Sequence, residues 1–217
     1  MAKNSLTKTV TQYMLSHPDV TPSDVAARFK TSKQINVALY QLALLYGETS
    51  PPQHKMVVQR CDELLRRKPT PDFALQAKFI KAGALFALAQ YKEAADLYQE
   101  VAGTEGAPDA FRVASTLKLG HISFVQKDYG AASQYFADVG FVYKDKAFAP
   151  EALYYAGKSY LLDGDPRAAC TTWARLFERF PDAAYADPAK KEIRKLGHEE
   201  VRKLGFVVKP DGSIKER

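Results

Sequence analysis

Four stretches of the chain carry the same short hydrophobic rhythm. HKMVVQRCDELL (54–65), YKEAADLYQEV (91–101), DYGAASQYFADV (128–139) and DPRAACTTWARL (165–176) align without gaps. In each, a small or β-branched residue is followed four positions later by a larger or softer one and seven later by an aliphatic. The triplets are Val57/Cys61/Leu64, Ala94/Tyr98/Val101, Ala132/Phe136/Val139 and Ala169/Trp173/Leu176, and their leading residues lie 37, 38 and 37 apart. An i, i+4, i+7 spacing places one narrow apolar stripe on one face of a helix. Its regular return predicts that the same helix is used four times.

Twelve residues before the last three leading positions stand Ala82, Gly120 and Gly157. Each falls within an apolar run of its own, DFALQAKFIKAGALFALAQ, PDAFRVASTLKLGHISFVQK and APEALYYAGKSYLLDG, which predicts a second helix preceding each stripe. A glycine inside a helix costs about 1 kcal/mol relative to alanine, so its presence there points to two helices in close approach. Turn signals separate the paired helices at Gln90-Tyr91, Lys127-Asp128 and Asp163-Gly164-Asp165-Pro166, the proline being suited to a first helical turn.

These residues resemble the tetratricopeptide repeat family, whose glycine or alanine, alanine, aromatic and proline are matched by Gly157, Ala169, Trp173 and Pro181. Two further repeats keep the small residues and the aromatic but carry Gly106 and Lys144 where the proline would stand. A partial repeat matches at Val57, Cys61, Leu64 and Pro69, with QINVALYQLALLYG as its first helix and GETSPPQHK as an inserted loop. The resemblance covers roughly residues 34–182 and implies an all-α fold, an α-solenoid of helix-turn-helix repeats. About three such pairs are needed to build a continuous core, since one pair cannot bury its apolar face alone.

The ends read differently. Residues 183–217 form an expected C-terminal cap: Ile193, Leu196, Val201 and Leu204 lie among charges in a helix broken near Gly197. A Lys-Pro-Asp-Gly turn then separates two short β-prone runs in GFVVKPDGSIKER, as in a small hairpin or an extended tail. Residues 1–33 form an N-terminal helical segment, with Leu6, Val10, Tyr13 and Met14 on a first helix and Val25, Ala26 and Phe29 on a second after Thr21-Pro22. A break at Lys30-Thr31-Ser32, with Ser32 as the cap, precedes the next helix. The run PSDVAARFKTSKQINVAL also resembles a helix-turn-helix. In that alternative, residues 21–40 would contact DNA through Arg28, Lys30, Lys33 and Gln34, and the repeats would sense or dimerise. Lys30 stands where a glycine is usual in such a turn, and Asn36 stands where a buried aliphatic is usual.

Charge is spread unevenly along the chain. Residues 1–69 carry 10 basic and 5 acidic side chains, residues 70–182 carry 12 and 14, and residues 183–217 carry 9 and 6. Most such basic excesses are solvated faces. The start lacks the roughly 7–15 apolar residues of a secretory signal, and no run approaches the ~18 of a membrane helix, so a cytoplasmic chain without membrane contact is expected. Cys61 and Cys170 have no ligand-spaced neighbour and fall inside apolar stripes, which predicts buried free thiols and no metal site. No phosphate loop, H-E-x-x-H or G-x-S-x-G motif occurs, and His17, His54, His121 and His198 are mutually isolated, so neither a cofactor nor catalysis is expected.

In the family that the chain resembles, first helices line a concave surface. The resemblance places Gln76, Phe79, Phe86, Leu117, His121, Phe124, Tyr154 and Lys158 near it. That set is apolar and aromatic and lacks the lysine and asparagine cluster that clamps a C-terminal carboxylate in some relatives. The expected partner is another protein offering a helix or extended peptide, or a second copy of the chain, and the expected role is a scaffold or adaptor within a larger assembly.

Overall fold

The structure, a computed structural model, describes residues 31–143 and 147–217 together with positions 13, 16, 17, 20, 24 and 28. Contacts divide the chain into two compact units, Met1–Ala107 and Pro108–Arg217. The first holds α1 (Ser32–Glu48), α2 (His54–Arg66), α3 (Pro71–Ala87) and α4 (Tyr91–Gly103). The second holds α5 (Asp109–Val125), α6 (Tyr129–Ala137), a π turn (Asp138–Val142), α7 (Ala149–Leu162), α8 (Pro166–Arg179), α9 (Ala186–Leu196), α10 (His198–Lys203), β1 (Phe206–Val208) and β2 (Ile214–Glu216). Within each unit consecutive helices pack as antiparallel pairs in tandem, α1 with α2 and α3 with α4, then α5 with α6 and α7 with α8.

All four predicted stripes are buried, and every member of the triplets is at most 2% exposed. What lies beneath them explains the small residues upstream. A Cβ added at Gly157 on α7 would stand 2.7 Å from Cδ1 and Cε2 of Trp173 on α8. One added at Gly120 on α5 would stand 2.8 Å from Phe136 on α6. In both pairs the aromatic of the second helix thus lies directly against the bare backbone of the first. The same offset of sixteen residues relates Ala82 to Tyr98, both buried in the first unit.

Three of the interhelical turns share one design. After α3, Ala89 N–H donates to Phe86 O and Gln90 N–H to Leu85 O; after α5, Lys127 donates to Phe124 O and Asp128 to Ser123 O; after α7, Gly164 donates to Leu161 O and Asp165 to Tyr160 O. These paired bonds close a Schellman turn, which needs one residue in the left-handed region. Gly164 takes that conformation at φ 89° without penalty, whereas Ala89 (φ 59°) and Lys127 (φ 63°) carry a Cβ into it. The left-handed region costs a non-glycine residue about 1–2 kcal/mol, partly offset because glycine has more freedom to lose on folding. Lys127→Gly is therefore expected to stabilise the second unit by up to about 1 kcal/mol, as a higher urea midpoint with unchanged slope. An unchanged or lower midpoint would show that the turn carries no strain.

The degenerate first repeat is capped one residue earlier than expected. Thr31, not Ser32, is the N-cap of α1: its Oγ1 accepts from Gln34 N at 3.2 Å while Gln34 Oε1 accepts from Thr31 N at 3.1 Å, a reciprocal capping box. Both hydroxyl residues suit the site, but only Thr31 has a Gln three positions on. The inserted loop is also shorter than the nine residues expected, because α1 continues to Glu48 and α2 begins at His54. The first predicted N-terminal helices, like Lys30, lie almost wholly outside the described residues.

At the other end the structure follows the reading closely. Gly197 (φ 85°) separates α9 from α10, and the chain closes with an antiparallel hairpin pairing Phe206 with Glu216, Val207 with Lys215 and Val208 with Ile214. Phe206 and Ile214 enter the same core as Trp173, Leu176, Ile193 and Val201, so the hairpin plugs the end of the second unit.

Candidate partner-binding site

The residues expected at a partner surface fall on first helices of three repeats. In the first unit, α3 carries Gln76, Phe79 and Phe86. Phe79 packs edge-on to Tyr98 with ring centroids 5.6 Å apart, and Phe86 packs edge-on to Tyr91 at 5.6 Å. All three are half-buried. Lys78 on the same helix pairs with Glu100 at 2.7 Å.

In the second unit α5 carries Leu117, His121 and Phe124, and α7 carries Tyr154 and Lys158. One of these is corrected by the structure: Leu117 is 3% exposed and belongs to the core with Val113, Ala132 and Phe136, so it offers no contact surface. Tyr154 is also largely covered, at 8%. The others gather around Tyr155, which sequence reasoning missed. Its ring lies 4.8 Å from His121, 5.6 Å from Phe124, 5.0 Å from Tyr154 and 6.3 Å from Tyr185, and stacks on Phe136 at 5.4 Å. Lys158 Nζ stands between two faces of this cluster, 5.8 Å from the Phe124 ring and 5.9 Å from the Tyr154 ring, and makes no ion pair among the described residues.

A polar pair anchors the cluster. His121 Nε2 donates to Glu151 Oε1 at 2.9 Å, bridging α5 to the first turn of α7. The hydrogen bond from His121 holds the Glu151 carboxyl below its ordinary value; burial opposes this, while the charges of His121 and Lys118 and a hydrogen bond from the Tyr185 hydroxyl assist. Burial, with the nearby Glu151, raises the Tyr185 hydroxyl. The missed Glu151 and Tyr155 had a legible signal: with Lys158 they repeat the i, i+4, i+7 spacing on the first helix of the last repeat.

The nucleic-acid candidates behave differently. Gln34 is engaged in the α1 cap, Lys33 is exposed, and the Arg28 guanidinium lies 5.8 Å from the Tyr13 ring. Lys30 lies outside the described residues. Asn36 is buried and accepts a hydrogen bond from Arg67 Nε at 3.1 Å, which turns the apparent mismatch in the helix-turn-helix pattern into a polar tie between α1 and the end of α2. Among the described residues no group of three histidine, cysteine or acidic side chains could hold a metal ion, and no helix is long and apolar enough to cross a membrane.

The tetratricopeptide repeat profile matches residues 151–183, the α7/α8 hairpin that carries Glu151, Tyr155, Gly157 and Trp173. A crystal structure of nearly identical tetratricopeptide-like repeats, from a Podosopora anserina chain assigned as a kinesin light chain, superposes with a TM-score of 0.58 at 15% identity. The match covers 77% of this chain and 89% of that one, and at such identity it establishes the fold. Residues 151–183 thus match a tetratricopeptide repeat, and the chain has a tetratricopeptide-like fold. No curated protein sequence matches it.

In this repeat protein the His121–Glu151 bridge gives a pH prediction. A carboxyl held below its unfolded value stabilises the fold at pH values above that unfolded value, and the contribution disappears as pH falls through the lowered value. Glu151→Gln should therefore lower the melting temperature most near neutrality. The gap to the wild type should close on acidification below the ordinary carboxylate range. A gap constant from pH 7 to pH 3 would show that the carboxylate charge contributes nothing.

Proposed function

We propose that the protein is an interaction scaffold that holds a partner's helix or extended peptide against the aromatic faces of its first helices. The observation that carries this reading is the cluster of His121, Phe124, Tyr155 and Tyr185 with Lys158 beside it, unpaired among the described residues. Half-exposed rings supply apolar contact at low conformational cost, and a lysine free of carboxylates supplies a contact for an acidic group on the partner. On α3, Gln76, Phe79 and Phe86 offer the first unit a similar though less concentrated surface. Tetratricopeptide repeats mediate protein–protein interaction in general, which supports a protein partner; membership of a larger assembly fits the same surface.

Affinity capture from a native extract, with and without nuclease, tests it. The same proteins should be retained in both, and a Phe124→Ala/Lys158→Glu variant with an unaltered melting curve should retain them at least tenfold less. Retention of nucleic acid alone, lost with nuclease, would overturn the scaffold reading in favour of DNA contact by residues 21–40.

A further inference from the structure

The α1/α2 pair differs from the three pairs after it at one matched position. Phe86, Phe124 and Leu161 are the last residue but one of α3, α5 and α7, and Tyr91, Tyr129 and Pro166 open α4, α6 and α8. In two of these pairs the side chains meet across the turn. Phe86 packs edge-on to Tyr91 with ring centroids 5.6 Å apart, and Phe124 packs in the same way on Tyr129 at 5.5 Å. The last residue but one of α1 is Gly47, and His54 opens α2. Five residues (49–53) join these two helices, where three (88–90) join α3 to α4. The first repeat therefore keeps a ring at the start of its second helix and lacks the one that should face it.

The space for that ring is open. Gly47 and His54 line a cleft of about 280 Å³, walled also by Val57, Ile80, Gly83 and Ala84. A Cβ added at Gly47 would stand 3.8 Å from Val57 Cγ2, an ordinary contact, so the cleft admits a side chain from that side. Glu48 is the one carboxylate of the lining, and apart from it and His54 the lining is apolar. An occupant is thus selected by shape and by contact with a ring, not by charge. Gly83 shares the α3 face of Gln76, Phe79 and Phe86 at i, i+3, i+7 and i+10 spacing, so the cleft continues the surface proposed above. A ring inserted there would recover the apolar burial that Phe86 and Phe124 give their own repeats. We propose that the first repeat binds an aromatic side chain of the protein partner in this cleft, seated as Phe86 and Phe124 are in their repeats and edge-on to His54. The inference rests on the scaffold reading for the source of the ring, but its site is in the first unit, apart from Phe124 and Lys158.

Titration of the full chain with N-acetylphenylalanine amide, followed by NMR, tests the proposal. The amides of Gly47 and Gly83 and the methyl groups of Val57 and Ile80 should shift along one saturating curve, with a dissociation constant of about 1–10 mM for so small a probe. N-acetylleucine amide should bind about two- to tenfold more weakly for want of the edge contact with His54. N-acetylalanine amide should leave the resonances unmoved. Gly47→Phe supplies the missing ring from within and should abolish the shifts without lowering the melting temperature. Should that variant unfold, His54→Ala serves in its place and should bring the phenylalanine and leucine probes to equal affinity. No saturable shift, equal affinity of the phenylalanine and alanine probes, or binding that survives Gly47→Phe would each overturn the proposal. So would resonances of Gly47 and Gly83 that move on dilution of the protein alone, which would assign the cleft to a second copy of the chain. Failure of the scaffold reading would appear instead in the capture experiment, with these titrations unchanged.

Discussion

Trp173→Ala is expected to destabilise the second unit by about 3–5 kcal/mol, the range for removing a fully buried large aromatic. Trp173 is 0% exposed and sits in the core shared by α7, α8, α9 and the hairpin, so its removal leaves a cavity touching every element at that end. Its indole also donates from Nε1 to Tyr154 O at 3.1 Å, a bond that holds the rings around Tyr155 to the α7/α8 core. The loss should appear in urea unfolding followed by circular dichroism, because this is the chain's sole tryptophan and its fluorescence disappears with it. A loss below about 1 kcal/mol would mean that neighbouring side chains collapse into the space and that the core is less rigidly built than its packing indicates.

Gly157→Leu attacks the same contact from the other side and is expected to cost on the order of 1–3 kcal/mol by overpacking. The indole lies where the first side-chain carbon would go, so the leucine must displace the ring or push α7 from α8. The two substitutions should not be additive. In a Trp173→Ala background the leucine finds the space that the indole vacated, and a double-mutant cycle should return a favourable coupling of about 0.5–3 kcal/mol. Additive losses would show that Gly157 acts through backbone conformation rather than through its approach to Trp173.

Periodic features were the most legible in the chain. The stripes at Ala94, Ala132 and Ala169, the close-approach glycines and the break at Gly197 all follow from helical spacing or from local backbone preference, and each is visible within a short window. Contacts joining residues far apart on aperiodic grounds were not. The Asn36–Arg67 bond spans 31 residues, and taken alone each partner reads as an ordinary polar side chain. Tyr155 was passed over because Tyr154, adjacent to it, occupies the position at which the resemblance places a surface residue; the structure buries Tyr154 and centres the cluster on its neighbour. Leu117 was misplaced for a related reason. Both the core and the surface of a first helix are apolar here, so hydrophobicity alone does not separate them. The left-handed Ala89 and Lys127 carry no signal at all, because neither residue type favours that conformation and only the repeat of the turn imposes it.

The burial of the two thiols has a practical consequence. Burial pushes Cys61 up to about 12, aided by Asp62 and opposed by Lys81, and pushes Cys170 up to about 11. Neither presents a thiolate near neutral pH, and both are at most 1% exposed, so alkylation must await local opening. One of them lies in each compact unit. The chain therefore contains a natural pair of clocks: the rates at which the two sulfurs become modified record separately how often each half of the molecule breathes, without any label being introduced.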